Sequence, residues 1–154
     1  MFQINNLFNN KNIQCVSQMG QFFVCEHQKD LSVSPYNAET AYFSSEMNVK
    51  RRQVLVQLNN TGCFIQAGAM QWMLGNVNMK TNVTAGNFLG KAASAMVTKE
   101  TIAKPEYTGQ GYLMLEPTYK HIILIDVSKW GQIVLDDGLF LACDNTLQYK
   151  TVSR

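Results

Sequence analysis

Val54-Leu55-Val56-Gln57-Leu58 runs into the polar stretch Asn59-Asn60-Thr61-Gly62, and Ile123-Leu124-Ile125-Asp126-Val127 runs into Ser128-Lys129-Trp130-Gly131 at an offset of 69 residues. Each stretch is followed by an apolar pair, Phe64-Ile65 or Ile133-Val134. A glycine then restarts an apolar run, Gly68-Ala69-Met70 or Gly138-Leu139-Phe140, with the offset now 70. Both stretches close on alternation into a lysine, Val77-Asn78-Met79-Lys80 and Leu147-Gln148-Tyr149-Lys150. A strand–turn–strand–turn–strand unit used twice is an architectural signal. It predicts an all-β chain built as a tandem β-sandwich or rolled barrel, with 51–83 as the first repeat and 112–154 as the second.

Outward from this pair, period-two alternation dominates. Ile13-Gln14-Cys15-Val16 and Gln21-Phe22-Phe23-Val24-Cys25 flank Met19-Gly20 and read as a hairpin. Leu31-Ser32-Val33 alternates until Ser34-Pro35, where proline withdraws a ladder donor. Ala41-Tyr42-Phe43 and Met47-Asn48-Val49 continue in strand style, so residues 1–50 read as a divergent β front piece of the same single domain, 1–154. The connector 84–111 is the exception. Phe88, Leu89, Ala92, Ala93, Ala95 and Met96 recur at three- and four-residue spacing, which predicts a short helix near 87–97 before Pro105. Gly109-Gln110-Gly111 then reads as a tight turn into the strand Tyr112-Leu113-Met114-Leu115.

The chain of 154 residues is 46% hydrophobic and only 16% charged, against about 25% charged in typical globular domains. A surface so poor in charge suggests that part of it is covered by self-association. The net charge of +2 is spread evenly, with six basic and four acidic residues in 1–83 and seven of each in 84–154. No block demands nucleic acid or an anionic membrane. The Asn-rich start carries no secretory core, and no stretch approaches the ~20 apolar residues of a membrane helix. The expected setting is therefore the cytoplasm. There Cys15, Cys25, Cys63 and Cys143, which lack CxxC spacing, read as four buried thiols.

Candidate chemistry is sparse. His121 precedes an apolar run with Asp126 five residues on, but alternation puts the two on opposite faces. His27 shares a strand face with Cys25, and two ligands do not make a metal site. Asp136-Asp137 precede Gly138 in a turn context. With two histidines, a nucleophile–base–orienter set has few ways to assemble, and no catalytic or phosphate-loop motif occurs. The chain is accordingly expected to be no enzyme, with no catalytic, cofactor-binding or metal-binding residue and no cofactor. Lys50-Arg51-Arg52 is the one basic run, and three charges at a strand entry read as a solvated edge that deters pairing.

Gly68-Ala69-Met70-Gln71-Trp72-Met73-Leu74-Gly75-Asn76-Val77, Asn87-Phe88-Leu89-Gly90-Lys91, Thr98-Lys99-Glu100-Thr101, Tyr107-Thr108-Gly109-Gln110-Gly111, Leu115-Glu116-Pro117, Gly131 and Gly138-Leu139-Phe140-Leu141-Ala142 follow a recognisable order. In it, 62–150 resembles the family named for altered inheritance of mitochondria protein 24. The resemblance implies a fold like that of the tryptophan RNA-binding attenuation protein, with double-stranded β-helix modules repeated in tandem and assembled as a trimeric ring. It implies no established enzymatic activity, and in mitochondria an association with inner-membrane organisation. Members usually continue into a third module, whereas this chain stops at Ser153-Arg154.

The function expected on these grounds is a non-enzymatic, self-associating scaffold or interaction protein, most simply a homotrimer. One rival is an RNA- or single-stranded nucleic-acid-binding module using Lys50, Arg51 and Arg52, which predicts salt-steep binding. That binding is disfavoured because likeness of fold does not carry function. The other rival is a cupin-like small-molecule or metal enzyme, which needs three or four converging His or carboxylate ligands.

Overall fold

A computed structural model describes residues 4–81, 104–136 and 138–150. The chain is mostly β. One antiparallel sheet holds β1 (Ile13–Met19), β2 (Phe22–His27), β3 (Arg52–Ile65), β4 (Met70–Lys80) and β5 (Glu106–Leu115) in the order β1-β2-β3-β5-β4. A short β6 (Ala142–Asp144) pairs with the far end of β3. The sheet is open, and β1 and β4 are its outer strands.

β3 organises the sheet. Val54, Val56 and Leu58 alternate into a buried cluster, and Cys63 and Ile65 join it from the strand's other half. Five residues could keep one face across an odd step only through a bulge. The register with β5 slips between Asn59 and Thr61, where Asn60 takes a φ of 56°. The extra residue restores the parity, so Cys63 and Ile65 stay inward. The Asn59–Gly62 stretch is therefore no turn; it is the bulged middle of one 14-residue strand.

The loop after β3 shows that the sheet is coiled. Phe64 pairs with Glu106 at one end of β5, and Met70 pairs with Leu115 at the other. A flat sheet would set those positions about 30 Å apart at ~3.3 Å per residue. The six steps from Phe64 to Met70 can reach no more than about 21 Å. The turn in which Ala69 N donates to Gln66 O at 3.0 Å shortens that reach further. The sheet must curl, and its concave side gathers Tyr107, Leu113, Leu115 and Ile65 with the β3 valines. Gly109 and Gly111, with φ of 131° and 158°, lie inside β5 where it bends. They face β4 so closely that a Cβ on either would run into the carbonyl of Asn76 or Leu74. The Gly109-Gln110-Gly111 turn is thus corrected to a strand interior, and the strand reaches back from Tyr112 to Glu106. A smaller cluster of Cys25, Leu55 and Met114 occupies the other face, capped by Leu7, Phe23 and Trp72.

The two stretches that suggested a tandem repeat do not take the same shape. Residues 54–80 lie in β3, β4 and the turn between them, whereas Ile122–Asp126 take no regular secondary structure and join no ladder. The edges of β3 are already taken by β5 on one side and by β2 and β6 on the other. Ile122 packs on the core, while Ile123 and Ile125 face outward. Val127–Lys129 is a single 3-10 turn, and among the described residues of this part only Ala142–Asp144 is a strand. Asp136 does sit in a turn, Leu139 N donating to Asp136 O at 3.2 Å with Gly138 at a φ of 76°. Asp137 and the helix predicted near 87–97 lie outside the described residues.

In the front piece the hairpin is as expected, with Met19 opposite Phe22 across Gly20-Gln21. Leu31-Ser32-Val33, by contrast, is a turn. Ala38–Glu46 is a helix, α1, entered through a 3-10 turn at Pro35–Asn37. Its end is a left-handed cap. Asn48 takes a φ of 62°, its N–H bonds Ser45 O at 3.0 Å, and Val49 N bonds Ser44 O at 2.8 Å. No residue of α1 is buried, so no helical stripe was there to read.

Candidate functional site

The strand register brings every charge of the basic run onto a carboxylate. Glu26 lies directly opposite Arg52, and because His27 N bonds Arg51 O at 2.9 Å, the Glu26–Arg52 pair is a non-hydrogen-bonded one, where side chains approach closest. The Arg52 Nε and Nη2 donate to Glu26 Oε2 at 2.9 and 2.8 Å, and Lys50 Nζ stands 3.6 Å from Glu26 Oε1. Arg51 Nη1 reaches Asp30 at 3.3 Å and Ser32 Oγ at 2.7 Å. Lys50-Arg51-Arg52 is thus no solvated edge. Arg52 is 4% exposed, and its backbone exchanges hydrogen bonds with Thr118 at 2.7 and 2.8 Å.

Around these pairs β2, α1 and the segment following β5 enclose a shallow cleft of about 340 Å³, lined by His27, Asp30, Ser44, Arg51 and Tyr119 among others. Asp30 is its electrostatic centre. Hydrogen bonds from Ser32 and Tyr119, with Arg51 beside it, hold the Asp30 carboxyl well below the usual carboxylate range. The same bond to Asp30 pushes the Tyr119 phenol up. A carboxyl depressed in the folded state stabilises fully above its unfolded value, about 3.9. That contribution is lost as pH falls through the folded value. Asp30→Asn is expected to flatten the fall in melting temperature below about pH 4, checked by thermal melts of both proteins from neutral pH downward.

Deeper in, the Gln53 amide nitrogen donates to Leu115 O at 3.1 Å and Gln71 Oε1 at 2.8 Å, so its oxygen must face His27 Nε2 at 2.9 Å. His27 Nε2 therefore donates to that oxygen and positions this buried glutamine. It is not paired with Cys25 toward a metal, and no group of three or more His, Cys, Asp or Glu able to hold an ion exists among the described residues. His121 is exposed, and Asp126 accepts from Ser128 N at 3.1 Å and pairs with Lys129 at 3.4 Å within its own turn. Sequence reasoning passed over Glu26, Asp30 and Tyr119. A trial register of Cys25-Glu26 against Arg52-Gln53 would have found the first, and the Asp30-Leu31-Ser32 turn signature hinted at the second.

The expectation of four buried thiols is corrected as well. Cys25 and Cys63 are buried, Cys143 is half-buried and Cys15 is exposed. Burial pushes the Cys63 thiol up to about 12 and that of Cys143 to about 11.

Apolar side chains are exposed in the C-terminal part of the chain. Ile123, Trp130, Val134 and Leu139 are 77%, 77%, 69% and 65% exposed, and Ile125, Ile133 and Leu135 each exceed 40%. No helix among the described residues is long and apolar enough to cross a membrane.

With these features placed, comparison with known proteins accounts for most of the chain. An uncharacterized protein of Streptococcus pyogenes serotype M6 is 32% identical over 117 residues, covering 70% of this chain and 47% of that protein. The chain thus spans about half the length of this relative. No solved structure matches. The family described as Mitochondrial biogenesis AIM24 matches residues 43–154, from the end of α1 through β6. That span takes in the bulged β3, the glycine bend of β5 and the apolar C-terminal part, and by it this chain belongs to the AIM24 family.

Proposed function

We propose that this chain is a non-catalytic assembly module that self-associates through its C-terminal apolar surface, in threes as the family resemblance implies. The observation that carries the reading is the outward exposure of Ile123, Trp130, Val134 and Leu139 together. Single exposed apolar residues are ordinary, whereas a contiguous apolar patch marks an interaction surface, and the proposal is that these residues form one. The candidate cleft adds no support for catalysis, because its charges are spent on one another. The same ion pairs weaken the nucleic-acid reading, which needs cations free to meet phosphates.

Sedimentation velocity across a wide concentration range tests the proposal. The expected result is a reversible species of three chains, and a strict monomer at high concentration overturns it. Trp130→Ser, at an exposed position that contributes nothing to the core, is expected to weaken association about 30-fold or more, the loss typical of a hot-spot aromatic. Its melting temperature, read under dilute conditions, should stay unchanged.

A further inference from the structure

We propose that Cys15 and Cys25 form a reversible thiol–disulfide site that clamps the outer strand β1 onto β2. The two are direct cross-strand partners. Their position in the ladder is decisive. Gln28 N donates to Asn12 O at 2.7 Å, and the register steps from there through Ile13–His27 and Gln14–Glu26 to Cys15–Cys25. Antiparallel ladders alternate, so Cys15 and Cys25 occupy a non-hydrogen-bonded pair. The other edge of β2 agrees, since His27 N turns the opposite way, toward Arg51 O.

Non-hydrogen-bonded partners sit about 4.5 Å apart at Cα, inside the ~4.4–6.8 Å that a disulfide spans. Directly opposed residues also project from the same face. The register slips immediately after Cys15, between it and Ser17, which gives the strand room to adjust. The remaining two thiols lack this geometry. Cys143 stands opposite Phe64 and Cys63 opposite Asp144, so those sulfurs leave β3 and β6 on opposite faces.

The exposures divide the chemistry. Cys15 is exposed and meets solution, whereas Cys25 is 1% exposed within the Leu55–Met114 cluster. Burial pushes the Cys25 thiol up to about 11, which leaves Cys15 to attack first. With a small-molecule disulfide such as oxidised glutathione as oxidant, the Cys15 thiolate forms a mixed disulfide and expels one glutathione thiolate. Cys25 gives its proton to that thiolate, attacks the Cys15 sulfur and expels the second glutathione. Two protein thiols and one glutathione disulfide become one protein disulfide and two glutathione thiols.

Equilibration of the folded chain with excess oxidised glutathione, followed by denaturation and alkylation, tests the assignment. The free-thiol count is expected to halve, from four to two. No lysine or arginine separates the pair, so the tryptic peptide 12–29 should be lighter by two hydrogens. Chymotryptic cleavage after Phe22 or Phe23 should leave its halves joined until reduction. A Cys63→Ala, Cys143→Ala protein should behave identically, and Cys15→Ser, changed at an exposed site, should form no internal bridge. Persistence of four thiols, a glutathione adduct that stays on Cys15, a Cys15-linked dimer, or a bridge through Cys63 or Cys143 would each overturn it.

Discussion

Gly111→Ala is expected to remove about 3 kcal/mol or more of folding stability, or to prevent folding altogether. Two effects combine. The φ of 158° lies at the margin of the region that L side chains rarely adopt, and that strain alone costs on the order of 1–3 kcal/mol. The new methyl would also run into the carbonyl oxygen of Leu74 and crowd the Val77 side chain at 2.9 Å and Gly75 Cα at 3.1 Å. The carbonyl is backbone in a paired strand, so it can yield only if β4 separates from β5. Gly111 pairs with Gly75 in the centre of that ladder, which makes fraying from one end no remedy. Urea unfolding checks the expectation: at ~2 kcal/mol per molar urea, the midpoint should fall by about 1.5 M. Gly131→Ala is the control, since its φ of 78° carries backbone strain but its Cβ would meet nothing within 4 Å. A Gly111→Ala protein no less stable than the control would remove the close approach of β4 and β5 from the account of the fold.

That bend also explains what could and could not be read from the chain. Val54, Val56 and Leu58 were legible because one strand face is buried and period two records it. The Gly20 hairpin and the Gly68 turn were legible because their glycines stand at chain reversals. Gly109 and Gly111 look the same in sequence but answer a different need, room for a neighbouring strand, which shows only once β4 is in place. Asn59–Gly62 carries turn residues because a bulge, like a turn, needs a left-handed position. The run Ile122–Val127 has strand composition without a strand, since composition cannot say whether an edge is free to receive it. α1 buries nothing, so hydrophobic periodicity had no signal to give. The polar corner was illegible for a related reason. Glu26 reaches Arg52, and Asp30 reaches Arg51 and Tyr119, across 21 to 89 positions of chain, and only the fold turns such separations into contacts.

Glu26→Gln is expected to destabilise the chain by about 2–4 kcal/mol, although it removes one charge and almost no volume. Arg52 is 4% exposed, with Glu26 as its one carboxylate among the described residues and the Lys50 carbonyl at 3.4 Å as a weak additional acceptor. A neutral amide leaves the guanidinium desolvated beside Lys50, whose ammonium also loses its counter-charge at 3.6 Å. The Glu26 side chain keeps 13% exposure, so water offsets part of the loss, and the expected range therefore extends below that of a fully enclosed pair. Arg52→Met should cost a similar amount by stranding the carboxylate against Lys50 alone. Replacing both partners, as Glu26→Leu with Arg52→Met, should recover most of the stability, because a buried ion pair contributes little net over a packed apolar pair while a broken one is expensive. A double-mutant cycle in urea measures this directly, with a coupling of about 2 kcal/mol expected. Additive losses would mean that Arg52 is held by its backbone pairing with Thr118 and not by Glu26. In that case Lys50 and Arg51 would be the freer of the three cations, and salt-dependent binding to nucleic acid would become the better reading of this corner.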